Sequence, residues 1–213
     1  MPPGLVWLPP ALLAVLDWRA VASGDRRTER WAKPATMAAL VATAMVLGAG
    51  GAAGGRWLVL ALLLGLAGDV ALLGPSLGRF RLGLAAFLLG HLAYVGCFAT
   101  QGLPAPAWCW LGLLVLAGTL LATRRVLPAT YRLDGAGLAV PVAVYTVVIG
   151  AMLLCAWWTG QVLVAAGASV FVVSDATLAV DRFVGPLPRA PLVVMVTYHV
   201  GQALITAGVL ATA

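Results

Sequence analysis

Leu58-Val59-Leu60-Ala61-Leu62-Leu63-Leu64-Gly65-Leu66-Ala67-Gly68-Asp69-Val70-Ala71-Leu72-Leu73 is a continuous apolar run broken by one charge, Asp69. Two solvents could accept it, a large protein core or a lipid bilayer. The rest of the chain decides between them. Of its 213 residues 62% are hydrophobic and 9% charged, against roughly 25% charged in a soluble domain. A water-soluble fold of this size cannot hide that much apolar surface. In lipid every backbone N–H and C=O must be paired within a helix or a closed barrel. Barrel strands alternate apolar and polar residues. This run does not alternate, nor does Leu82–Gly90, so the segments are helices.

Working outward from that run, stretches near the roughly 20 residues a spanning helix needs fall at about 5–22, 34–50, 57–74, 82–100, 106–122, 138–158, 161–180 and 190–211. The sequence therefore predicts an all-α fold. It is a polytopic bundle of eight transmembrane helices forming a single domain over 1–213. Gly, Pro and charge collect in the breaks, Ser23–Lys33, Gly74–Arg81, Gln101–Pro106, Thr123–Gly137 and Asp181–Pro191. Leu12–Leu16 followed by Ala20-Val21-Ala22 resembles a signal peptide. It has no basic segment before it and Asp17-Trp18-Arg19 interrupts it, so it reads as the first helix.

Basic residues orient the bundle. Twelve of the thirteen lie in Arg19–Lys33, at Arg79 and Arg81, in Arg124–Arg132, and at Arg182 and Arg189; only Arg56 falls on the other side. Lys and Arg mark the cytoplasmic face, so both termini are expected to be extracytoplasmic. The chain is expected to be multi-pass in a cell membrane, a bacterial inner membrane given the Arg, Ala and Gly bias. The net charge of +6 is thus a topology signal. No basic block interleaved with aromatics points to nucleic acid. The eight tryptophans fall at or beyond expected helix ends, as an interfacial belt does. Cys97, Cys109 and Cys155 lack metal-ligand spacing. Packing as small hydrophobes is their plain reading, and a Cys97–Cys109 bridge is the alternative.

Seven acidic residues are present. Asp25, Glu29 and Asp134 sit in expected loops. Asp17 and Asp181 lie near helix ends beside Arg19 and Arg182, where local pairing or interfacial water accounts for them. Asp69 and Asp175 lie one to two turns inside their helices, at what the sequence reads as equal depth. An ionisable group in a spanning helix costs roughly 2.5–3.5 kcal/mol at its centre and marks function more often than packing. Gly68 and Ser174 precede the two carboxyls, and small neighbours would leave room for water or substrate. Gly68-Asp69-Val70-Ala71-Leu72 echoes Ser174-Asp175-Ala176-Thr177-Leu178. Each is followed one helix later by a polar aromatic cluster, His91 with Tyr94 and Tyr198 with His199, a hint of a parallel four-plus-four repeat. Tyr145 falls at similar depth. Alone, each His or Tyr would be a packing residue. Together they suggest a polar cavity opening to the cytoplasm. Lys33-Pro34 is expected to open the second helix on that face. There Lys33 is either a snorkelling lysine behind a first-turn proline or an anchor for an anionic headgroup.

The runs Gly65–Leu73, GLAAFLLGHLAY over 83–94 and FVVSDATLAVDRF over 171–183 resemble the YhhN family of membrane proteins, with Lys33-Pro34 and PVAVY over 141–145 as further landmarks. The resemblance covers nearly the whole chain. It implies eight helices and a lysoplasmalogenase-like activity, hydrolysis of the vinyl ether bond of a lysophospholipid to a fatty aldehyde and a glycerophospho-headgroup. It carries the family carboxylates onto Asp69 and Asp175. Lys33, His91, Tyr94, Tyr145 and Tyr198 are then the substrate-binding candidates.

The chemistry suits the residues without the name. Protonating the enol ether carbon distal to oxygen gives an oxocarbenium ion, which water captures; the hemiacetal then collapses. One carboxyl serves as acid and a second as base and cation stabiliser, as in two-carboxylate glycosidases. No cofactor or metal is needed. A metal-dependent hydrolase is a minor alternative: it would require convergent ligands, which Asp69, Asp175, His91 and His199 could supply. The competing classes are a proton-coupled transporter, since paired intramembrane acids also relay protons, and a lipid-binding protein without turnover.

Overall fold

A computed structural model describes residues 3–211. Within them the chain forms nine α-helices and no strand: α1 (Leu8–Ser23), α2 (Arg26–Val46), α3 (Gly55–Leu72), α4 (Leu77–Gln101), α5 (Cys109–Thr123), α6 (Val126–Asp134), α7 (Ala136–Trp158), α8 (Val162–Phe183) and α9 (Ala190–Ala211). Single 3₁₀ turns, Pro3–Trp7 and Pro106–Trp108, lead into α1 and α5. Seven of the helices are long and apolar enough to cross a bilayer, and the chain is a multi-pass membrane protein.

The expected second span is the exception. It begins at Arg26, not Pro34, so Lys33-Pro34 lies two turns inside α2. The start is fixed by Asp25, whose side chain accepts from the backbone N–H of Arg27 at 3.1 Å and Thr28 at 3.2 Å and from the Thr28 hydroxyl at 2.6 Å. The Thr28 hydroxyl, then its N–H, hold the exposed Asp25 carboxyl below its ordinary value. Such a cap satisfies the orphan donors of a helix start. The charged residues up to Arg30 resemble a loop by composition, yet they form an exposed first turn. Burial begins at Ala32 and continues through Lys33, Thr36, Met37 and Leu40.

A second departure is α6. The break expected over Thr123–Gly137 holds a two-turn helix whose Val126, Ala129 and Thr130 are buried. Val126 packs with Phe80, Leu138 and Val142 in a small cluster. That cluster closes the end of the bundle where Arg81 pairs with Asp134. We refer to it as the basic end.

Two helix pairs are packed backbone against backbone. A Cβ on Gly167 of α8 would lie 2.7 Å from the Ile205 nitrogen of α9, and one on Gly201 would lie 3.0 Å from the Gly167 oxygen. Small residues let helices approach this closely in lipid, where no hydrophobic force drives them together. In the α3–α4 pair Gly90 approaches the Ala61 carbonyl. The core between the pairs holds Met37, Leu62, Tyr94, Phe98, Met152 and Phe171. Outward faces carry exposed Leu12, Leu82, Leu114, Val147 and Val162, the signature of a lipid-facing surface.

Trp31, Trp57, Trp110 and Trp158 are exposed as a belt would be. Trp18 and Trp157 instead hydrogen-bond inward, to His199 and Ser169. All three cysteines are free, so the Cys97–Cys109 alternative does not hold.

Candidate functional site

Asp69 projects from the last turn of α3 and is buried. Its Oδ1 lies 3.3 Å from Lys33 Nζ of α2, and its Oδ2 accepts from the Tyr198 hydroxyl of α9 at 2.9 Å. Tyr198 is held edge-on by Phe87 and Phe171, with ring centroids 5.8 and 5.4 Å away. Lys33 is therefore no snorkelling residue at a helix start. It is buried, and its ammonium engages a carboxylate.

Asp175 projects from α8 and accepts from the Tyr145 hydroxyl of α7. His91 Nε2 of α4 lies 2.9 Å from the same hydroxyl and 3.6 Å from Asp175 Oδ2. Tyr145 spends its hydrogen on Asp175, so its oxygen accepts from His91, and Nε2 carries the imidazole hydrogen. His91 Nδ1 then has no partner among the described residues.

Both carboxyls line one cavity of about 180 Å³. Lys33, Tyr145 and Tyr198 line it with them, and the remaining wall is largely apolar: Leu116 and Leu120 of α5, Ile149 of α7 and Val172 of α8. Arg124 and Arg182 border it towards the basic end. His91 stands behind Tyr145. Tyr94 is placed further back and is absent from the lining; its hydroxyl donates to Gln202. Gln202 in turn contacts the Tyr198 hydroxyl. Of the five substrate-binding candidates the cavity thus gathers Lys33, Tyr145 and Tyr198, while His91 and Tyr94 sit one layer out.

Three expectations need correction. Gly68 and Ser174 leave no room for water: the space beside Gly68 is filled by the Phe87 ring, 2.6 Å from where a Cβ would be, and the Ser174 hydroxyl donates to the Val194 carbonyl at 2.9 Å. Both positions are spent on helix packing. The two carboxyls are also not equally far from their helix ends. Asp69 is about one turn from the end of α3, whereas α8 runs on to Phe183, about two turns past Asp175.

Asp17 is the third. It is neither paired with Arg19 nor in interfacial water, being 0% exposed with both carboxyl oxygens lacking a hydrogen-bond partner among the described residues. It faces the bundle, within electrostatic range of Lys33.

The four residues named as possible metal ligands do not converge, and among the described residues no three His, Cys, Asp or Glu side chains do. His199, next to Tyr198, is turned towards α1. Its Nδ1 accepts from the Trp18 indole at 3.1 Å.

Sequence reasoning missed Gln202, Arg124 and Arg182. Gln202 follows Tyr198 by one helical turn, the spacing that puts it on the same face, a signal that could have found it. The arginines read as topology markers.

The chain matches the YhhN family over residues 28–209. It is 37% identical over 149 residues to human lysoplasmalogenase TMEM86B, covering 68% of this chain and 60% of the relative. To bovine lysoplasmalogenase TMEM86A it is 31% identical, over 65% of this chain and 58% of the relative. To the lysoplasmalogenase of Mycobacterium tuberculosis it is 32% identical, over 72% and 60%. The matched part thus spans about three-fifths of the length of these curated relatives. No solved structure matches. A family match across most of its length, shared with relatives from mammals and bacteria, means that the chain belongs to the YhhN family.

Proposed function

We propose that this protein hydrolyses the vinyl ether bond of lysoplasmalogen-type lysophospholipids, releasing a fatty aldehyde and a glycerophospho-headgroup. The observation that carries the reading is the pair Asp69 and Asp175, from two different helices, lining one largely apolar cavity. The names of the relatives favour the same reaction.

The environments suggest a division of roles. An ion pair with Lys33 requires Asp69 to be ionised, and makes it the base. Among the described residues Asp175 has no ammonium neighbour, and it serves as the acid. Asp175 gives its proton to the enol ether carbon distal to oxygen, and the C=C electron pair forms the new C–H bond. The resulting oxocarbenium ion is stabilised by the Asp69 carboxylate. Water adds as Asp69 takes its proton. The hemiacetal then collapses: its O–H proton goes to Asp175, the C–O bond to glycerol breaks, and Asp69 protonates the leaving oxygen. Both carboxyls end as they began. Tyr145 and Tyr198 hold the acid and the base in place through their hydroxyls.

The topology assigned to this reading is eight spans, α2 being the eighth, with the basic end in the cytoplasm of a cell membrane and both termini opposite. Reporter fusions in the α6 region should read as cytoplasmic, and fusions after Ala213, outside the described residues, as extracytoplasmic. For the activity, purified protein in detergent should release aldehyde from an alkenyl lysophospholipid, followed by an aldehyde-reducing coupling enzyme. Substrate bound but unchanged would replace the hydrolase reading with a lipid-binding one, and substrate moved across a vesicle with a proton would replace it with a transporter.

A further inference from the structure

We propose that Arg124 and Arg182 form an anion subsite at the mouth of the cavity that takes the phosphate of the lipid headgroup. This rests on the hydrolase reading for the identity of the lipid, and on the structure alone for the anion.

The cavity needs a cation that is free. An amphiphile whose chain lies along the apolar wall and whose ether bond lies between Asp69 and Asp175 carries its phosphate towards the basic end. Lys33, the cation expected there from sequence, is engaged by Asp69 at 3.3 Å. Arg124 closes α5, and Arg182 lies in the last turn of α8. They arrive from two elements and border the same cavity as the carboxyls. Arg81, by contrast, is paired with Asp134. No carboxylate partner is found for Arg124 or Arg182 among the described residues. The Arg182 guanidinium is fixed in orientation by the Phe80 ring, 4.0 Å from its centroid, and Phe80 itself lines the cavity. A planar guanidinium braced on an aromatic face is preorganised for the paired hydrogen bonds that phosphate accepts.

The plain account of both arginines is a favourable position at a helix C-terminus and the basic bias of that face. Arg125 meets the same general description. It sits beside Arg124 at the same end of the bundle and shares a second groove with it, Leu121 and Val184, but unlike Arg124 it does not line the cavity of the carboxyls. It is therefore the internal control.

The test uses the full chain in lipid nanodiscs. The probe is a 1-O-alkyl-glycerophosphocholine, which lacks the double bond and is not cleaved. 1-O-alkylglycerol is its phosphate-free counterpart. Arg124→Gln and Arg182→Gln should each weaken probe binding at least tenfold and leave alkylglycerol binding unchanged. Arg182→Lys should lose less than Arg182→Gln, and Arg125→Gln should bind as the parent does. Equal weakening for both lipids, or equal weakening in Arg125→Gln, would overturn the subsite. Inorganic phosphate binding as tightly as the probe would overturn its assignment to a lipid headgroup. Because binding is read without turnover, a protein that passes these arms yet releases no aldehyde would sink the hydrolase reading and leave the anion subsite standing.

Discussion

His91 of α4 stands 3.6 Å from Asp175 of α8, although by sequence it follows Asp69. The reverse holds on the other side, where Tyr198 of α9 follows Asp175 by sequence and donates to Asp69 of α3. Each carboxyl is approached by one aromatic residue of the opposite half, beside Lys33 or Tyr145 of its own. The two helix pairs therefore complete one site between them, and neither half holds a complete one.

The proposed mechanism treats the carboxyls as a unit. Asp69→Asn and Asp175→Asn should each lower kcat by about 10²-fold or more, the usual worth of one acid–base group. The double variant should be scarcely worse than either single one. Aldehyde release in detergent measures this, and a loss below tenfold in either variant would remove that residue from the chemistry.

Lys33 is expected to act on the reaction more than on binding. Its ammonium meets Asp69 and lies inside the bundle. Lys33→Met should therefore lower kcat more than it raises KM. The opposite split would return Lys33 to a headgroup role.

The tyrosines should rank by their distance from the cavity. Tyr145→Phe and Tyr198→Phe each remove a hydroxyl that donates to a carboxyl, to Asp69 as a carboxylate and to Asp175 as it becomes one on giving up its proton, and should cost roughly tenfold or more in kcat, by analogy with losing one hydrogen bond to a charged group. Tyr94→Phe removes only the bond to Gln202 and should stay within about fivefold, given that a neutral hydrogen bond contributes about 1 kcal/mol.

At the α8–α9 contact, Gly167→Leu would drive a side chain into the Ile205 backbone. Overpacking typically costs about 1–3 kcal/mol, and backbone cannot yield as a side chain can. A fall in Tm, measured by intrinsic fluorescence in detergent, should accompany loss of activity. The matching change at Gly118, where nothing lies within 4 Å of a Cβ, should leave Tm unaltered.

Much of this architecture was legible because lipid imposes a simple rule on composition. The run from Leu58 to Leu72 and the run Ala190–Ala211 are helices for the reason given by their apolarity. Asp69 and Asp175 were legible because charge is costly there. Asp17 was not: Arg19, two residues on, offered a partner in sequence that the helix turns away in space, since residues two apart do not share a face. The start of α2 was hidden for a related reason. Charge density signals a loop only if the helix is assumed to begin where the membrane does, and Asp25 caps α2 before that. Gly68 was misread because sequence shows that a residue is small without showing that Phe87 fills the gap.

The wall that α5 gives the cavity runs from Leu116 through Leu120 to Thr123, which at 1.5 Å per residue is roughly 10 Å of helix. A single leaflet of hydrocarbon is roughly 15 Å deep, half the core of a bilayer. For a lipid bound as proposed, the protein would enclose only the segment of tail nearest the headgroup and leave the remainder dissolved in the membrane. Such a site would be blind to how long the tail is. It would meter the polar end and the first few bonds, making lipids that differ only in tail length equivalent to it.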